Sequence, residues 1–117
     1  MDLAATGRVT GYLAAHCVTT VYYLLRRRVG ADRARQLTTH LLERIRVAPV
    51  TQGVVEAALA SRFSDLEDAV CHAAAEAVGA ERIVTRNPND FRKGRTPAVL
   101  PEPFVHWAEG AASNPRR

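Results

Sequence analysis

Asp65-Leu66-Glu67-Asp68-Ala69 opens an alanine-rich stretch that runs to Val78-Gly79, and Ile83-Val84-Thr85-Arg86-Asn87-Pro88-Asn89-Asp90-Phe91 follows it. The first part reads as a helix. Ser64 or Asp65 caps its start, Leu66, Ala69, Val70, Ala73, Ala74 and Ala77 recur at helical spacing, and Gly79 stops it. The second part reads as a strand over residues 82–85 that runs into a polar turn. Helix followed by strand is half of an α/β unit, and ligands of such units gather beyond the carboxyl ends of the strands. Asp68 on the first helical turn, with Asn87 and Asp90 just past the strand, fall at that edge. Carboxylates gathered there suit a hard cation such as Mg²⁺ or Mn²⁺. Asp65 shares a helix face with Asp68 and, with Glu67, is a secondary candidate. A purely local reading competes: aspartates at a helix start cap it and complement its dipole, and Asp90 before Phe91 serves as a turn residue.

Outward from this stretch, residues 2–6 read as the last turn of a helix ending near Gly7, and Val9 to Ala15 as a strand. From His16 to Val29 the pattern is helical, with Val18, Val21, Tyr22 and Leu25 on one face and Gly30 as its end. Asp32 starts the next helix, whose apolar stripe is Ala34, Leu37, Leu41, Leu42 and Ile45. Arg46 to Val50 reads as a second strand, and Thr51 caps a helix over residues 52–62. Ala98 to Leu100 forms a fourth strand and Phe104 to Glu109 a closing helix. Strands alternating with helices predict an α/β fold with a small, mostly parallel sheet. The expectation is a single domain over residues 1–109 and a flexible basic tail over 110–117.

The 117 residues suffice for one core. At 47% hydrophobic and 24% charged, the composition is that of a globular protein and argues against intrinsic disorder. A net charge of +4 is compatible with a nucleic-acid or acidic protein partner. Cys17 and Cys71 form no C-x-x-C pair, so neither a disulfide framework nor a zinc site is expected, and the cytoplasm is the expected compartment. No apolar run approaches the roughly 18 residues of a membrane span.

The string from Phe63 to Phe91 resembles the carboxyl half of a PIN domain, in the branch that includes VapC-type toxins of bacterial toxin–antitoxin pairs. The matching pieces are Asp65-Leu66-Glu67-Asp68-Ala69, Gly79-Ala80, Ile83-Val84-Thr85-Arg86-Asn87 and Asp90-Phe91. Gly11-Tyr12-Leu13, Val18 to Arg26, and Pro97 to Phe104 fit the same branch, so the resemblance covers nearly the whole chain. It implies a Rossmann-like three-layer fold and an Mg²⁺/Mn²⁺-dependent endoribonuclease with RNA as substrate. An antitoxin protein is the implied partner, and a homodimer and the absence of any membrane partner are further expectations. Asp68 matches the family's helix-start aspartate, and Asn87 or Asp90 its acidic-or-amide position after the following strand. Asp68 and Asp90 are the expected catalytic residues, with Asn87 joining them at the metal.

The family's first aspartate ends an N-terminal strand in a D-T-N-like motif, and no such motif stands in this chain. The family's common glutamate aligns near Tyr23. The expectation is a sheet lacking its first, central strand, which would leave backbone groups unpaired. A start codon assigned too far downstream, a truncated gene, or a strand supplied by another chain would each account for it. A non-catalytic PIN remnant that binds RNA or protein is the alternative function.

Arg26, Arg27 and Arg28, with Arg33 and Arg35, form the densest basic cluster and could track an RNA backbone; a solvated helix end is the other reading. Arg86 and Arg92 flank the carboxylate edge and are candidates for phosphate contact. Tyr12, Tyr22 and Tyr23 could stack on bases, although at helical spacing Tyr22 is more often a core residue and Tyr23 a half-exposed or partner-facing one. His72, four residues past Asp68, reads as a packed helix histidine or a neighbour of the site.

Overall fold

The glycines and caps read from the sequence set the element boundaries in the computed structural model, which describes residues 9–101. The helices expected over residues 2–6 and 104–109 and the tail lie outside that range. The chain divides into two compact units after Pro49.

The first unit runs β1 (Tyr12–Ala14), α1 (Ala15–Val29), α2 (Ala31–Arg44) and β2 (Arg46–Ala48). The strand expected over Val9–Ala15 is shorter, because only Tyr12–Ala14 finds a partner. It pairs in parallel with β2, in the register Tyr12↔Arg46, Leu13↔Val47 and Ala14↔Ala48. Gly30 alone joins the two helices. At φ 85° it occupies a region that favours glycine. Its N–H donates to the Arg26 carbonyl and its own carbonyl accepts from Ala34 N–H, both at 3.0 Å. The Arg35 guanidinium lies 5.9 Å from the Tyr22 ring centroid and ties α2 to α1. Ala34 is fully buried, whereas Leu42 at the outer margin of the expected stripe is exposed.

The second unit holds α3 (Gln52–Ala60), α4 (Leu66–Ala77), β3 (Ile83–Val84), a 3-10 helix (Pro88–Phe91) and β4 (Ala98–Val99). Thr51 caps α3 by accepting from Val54 N–H at 3.2 Å. α3 and α4 pack together, with Val54, Ala58, Ala69, Val70, Ala73 and Ala74 buried. The small residues of α4 permit close approach. Leu66 departs from the expected stripe and is 51% exposed: at the first helical position it precedes the turn that faces the core. Ala77, at the other end, is exposed as well.

Gly79 ends α4 in a Schellman arrangement at φ 71°. Its N–H donates to Glu76 O at 3.0 Å, and Ala80 N–H donates to Ala75 O at 2.9 Å. β3 and β4 then pair in parallel, Ile83↔Ala98 and Val84↔Val99. Hydrogen bonds from Ile83 N–H to Pro97 O and from Thr85 N–H to Val99 O, each 2.9 Å, extend the ladder past both ends. The architecture is thus the expected mixed α/β class with short parallel sheets. Among the described residues no helix is long and apolar enough to cross a membrane.

Candidate functional site

Asp65 is the residue that caps α4: its Oδ1 accepts from the Asp68 N–H at 2.9 Å. One oxygen of Asp65 is thereby committed to the helix, and the backbone of Asp68 is fixed by it. Glu67 is exposed on the same first turn, while Asp68 is half-buried. Across from α4, β3 exits into a turn in which Asn87 N–H donates to the Thr85 hydroxyl at 3.1 Å. Asn87 O in turn accepts from Asp90 N–H at 3.0 Å, which starts the 3-10 helix and sets the position of Asp90. This helix packs against α4.

The consequence is electrostatic. Burial raises the Asp68 carboxyl above its ordinary value, and the charges of Asp65, Asp90 and Glu67 raise it further. Asp90 is 22 positions from Asp68 in the chain and on a different element, so only the fold brings its charge to bear. Three candidate carboxylates therefore act on a fourth, Asp68, and the like charges there oppose ionisation.

A divalent cation fits this donor set. The available ligands are hard carboxylate oxygens, and the charge that accumulates at Asp68 is the kind a cation offsets. Asp68 and Asp90 would hold it from two elements, with the Asn87 amide oxygen beside them. Arg86 and Arg92 are exposed on the segments flanking Asp90. Arg26 and Arg27 are exposed in the last turn of α1, in the first unit.

Two further features were not evident from sequence. An open groove of about 320 Å³ between α1 and α2 is lined by Tyr22, Tyr23, Arg35, Thr38 and Leu42 among others. Tyr22 and Tyr23 meet edge to face there at 5.1 Å, and Tyr23 is 56% exposed. Only the tyrosines and the arginine hinted at this groove in the sequence. The second feature is a cluster around His72, which is 5% exposed. It contacts Thr96 and Gly94, too distant in sequence for any local pattern to signal.

A family model described as PIN domain matches residues 1–89, a span that includes Asp65, Glu67, Asp68 and Asn87 and stops one residue short of Asp90. No curated protein and no solved structure matches the chain. With most of its length matched and with the expected α/β architecture, the chain belongs to the PIN domain family.

Proposed function

We propose that this protein is a Mg²⁺- or Mn²⁺-dependent endoribonuclease acting in the cytoplasm, the toxin of a toxin–antitoxin pair. Membership of the family supports a nuclease-type fold and RNA binding, and PIN domains generally use divalent metals. The observation that carries the reading is that the 3-10 helix bearing Asp90 packs against α4, which carries Asp68 on its first turn.

In this reading Asp68 and Asp90 hold the cation and Asn87 completes the site from the turn. A divalent cation held there would supply polarisation of the scissile phosphodiester and a lowered pKa for a water. Asp65 keeps the first turn of α4 closed, so that the Asp68 backbone stays fixed. Arg86 and Arg92 meet the substrate phosphates on either side of Asp90, as charge-assisted donors. Arg26 and Arg27 add sequence-independent attraction for the RNA backbone. An antitoxin would act by covering such a surface, and a homodimer is the proposed form of the toxin.

The test is Mn²⁺-dependent cleavage of a mixed RNA pool by this chain beside Asp68→Ala. Cleavage by the wild type that disappears in the variant is the expected result. The α1–α2 groove, with its exposed Tyr23 beside Arg35, favours a second reading: a non-catalytic module that binds RNA or a protein partner. Folded wild type that binds RNA without cleaving it would select that reading.

A further inference from the structure

We propose that His72 is the positioning residue that sets the separation of Asp68 and Asp90, and so the affinity of the site for a divalent cation. The inference rests on the metal-site reading above and assigns it a residue outside the carboxylate set. His72 stands one helical turn beyond Asp68, so the two share a face of α4. From there its ring holds the segment that leaves the 3-10 helix.

His72 Nε2 accepts a hydrogen bond from the Thr96 N–H at 3.2 Å. That contact requires Nε2 to be unprotonated, which puts the ring proton on Nδ1. Nδ1 faces Glu76 Oε1 at 3.2 Å, an acceptor one turn further along α4, so Glu76 fixes the tautomer that Thr96 needs. Gly94 lies close against the same ring: a Cβ added to it would clash with His72 Nε2, Cδ2 and Cε1. Phe63 packs tilted against His72 with centroids 5.1 Å apart and meets Phe91 edge-on at 5.9 Å. Gly94 N–H closes the turn onto Phe91 O at 3.1 Å.

Phe91 directly follows Asp90 and is buried. The turn that carries Asp90 is therefore held to α4 at three places: Phe91 through Phe63, Gly94 against the imidazole, and Thr96 at Nε2. All three pass through His72 or the ring packed against it. A change that keeps the ring but removes the Nε2 acceptor frees the Thr96 end while leaving the packing in place. The carboxylates are untouched by it, yet their spacing is no longer fixed.

The experiment is Mn²⁺ affinity, read by electron paramagnetic resonance well below the melting temperature, for wild type, Asp68→Ala, His72→Phe and His72→Gln. Circular dichroism confirms that each variant is folded. His72→Phe is expected to weaken Mn²⁺ binding about tenfold, the scale of a lost outer contact. His72→Gln, whose amide oxygen can replace Nε2 as acceptor, is expected to restore most of it. Should His72→Phe not fold, His72→Asn replaces it, because its shorter amide does not reach Thr96 and the same loss is expected relative to His72→Gln. Wild-type affinity in the folded Phe or Asn variant overturns the role of His72 while leaving the metal site standing. Mn²⁺ binding that is absent from wild type, or unchanged by Asp68→Ala, overturns the metal-site reading and this inference with it.

Discussion

Asp68 is held at an electrostatic disadvantage in the folded protein. Its carboxyl is raised by burial and by the charges of Asp65, Asp90 and Glu67, so the folded state retains its proton to higher pH than the unfolded chain. Stability consequently declines as the pH rises from the ordinary carboxylate value through the raised one, and the penalty is fully present at neutral pH. Asp68→Asn removes the charge and is expected to raise the melting temperature of the metal-free protein near pH 7 while leaving it unchanged near pH 3. Because Asp68 is only half-buried, the gain should be below about 1 kcal/mol. Added Mg²⁺ should raise the wild-type melting temperature, as binding to the folded state alone requires, and should do nothing for the variant. Thermal melts at both pH values, with and without the ion, measure all of this. An equal response in the two proteins would remove Asp68 from the site.

At the scale of elements, Asp65 does two things that can be separated. Asp65→Ala loses the cap on α4 and should cost about 1 kcal/mol. Asp65→Ser keeps an acceptor for Asp68 N–H but drops the charge, so it should retain most of the helix stability and relieve part of the repulsion at Asp68. Urea unfolding of the two variants distinguishes capping from charge. If serine costs as much as alanine, the carboxylate itself stabilises α4. Such local devices are what the sequence displays openly: Thr51, Asp65, Gly30 and Gly79 each act within a turn of their position, and each marks its boundary in the structure. The strands were legible in place but not in extent, since their length depends on partners far along the chain. Leu66 misled because the apolar period says nothing about which end of a helix leaves the core. The contact between His72 and Thr96, 24 residues apart, has no local signature, and neither does the closeness of Gly94 to the ring.

For the whole molecule, the net charge is +4, and the run Arg26, Arg27 and Arg28 ends α1. The α1 dipole favours those arginines. If they contact RNA phosphates, affinity must fall with salt, with a log–log slope that shrinks by about 0.7 for each contact removed on a single strand. Arg26→Ala and Arg27→Ala are each expected to lower the slope by that amount. Both should weaken binding to unrelated RNA sequences to a similar degree, because phosphate contacts carry no sequence information. Titrations at several salt concentrations provide the measurement. An unchanged slope would return these arginines to the role of a solvated helix end.

The one-residue joint at Gly30 also bears on the order in which the first unit is built. Helices joined by so short a link meet after almost no loop closure, whereas β1 and β2 must wait for both helices to be in place between them. The α1–α2 hairpin is therefore the natural nucleus of this unit, and the parallel strand pair condenses onto it late. Gly30→Ala, which strains the joint at φ 85°, should act chiefly by slowing the folding arm of a chevron plot, while Val47→Ala in β2 should act chiefly on the unfolding arm. A chain emerging from the ribosome would on this account have its arginine-rich corner assembled before the strands that frame it have met.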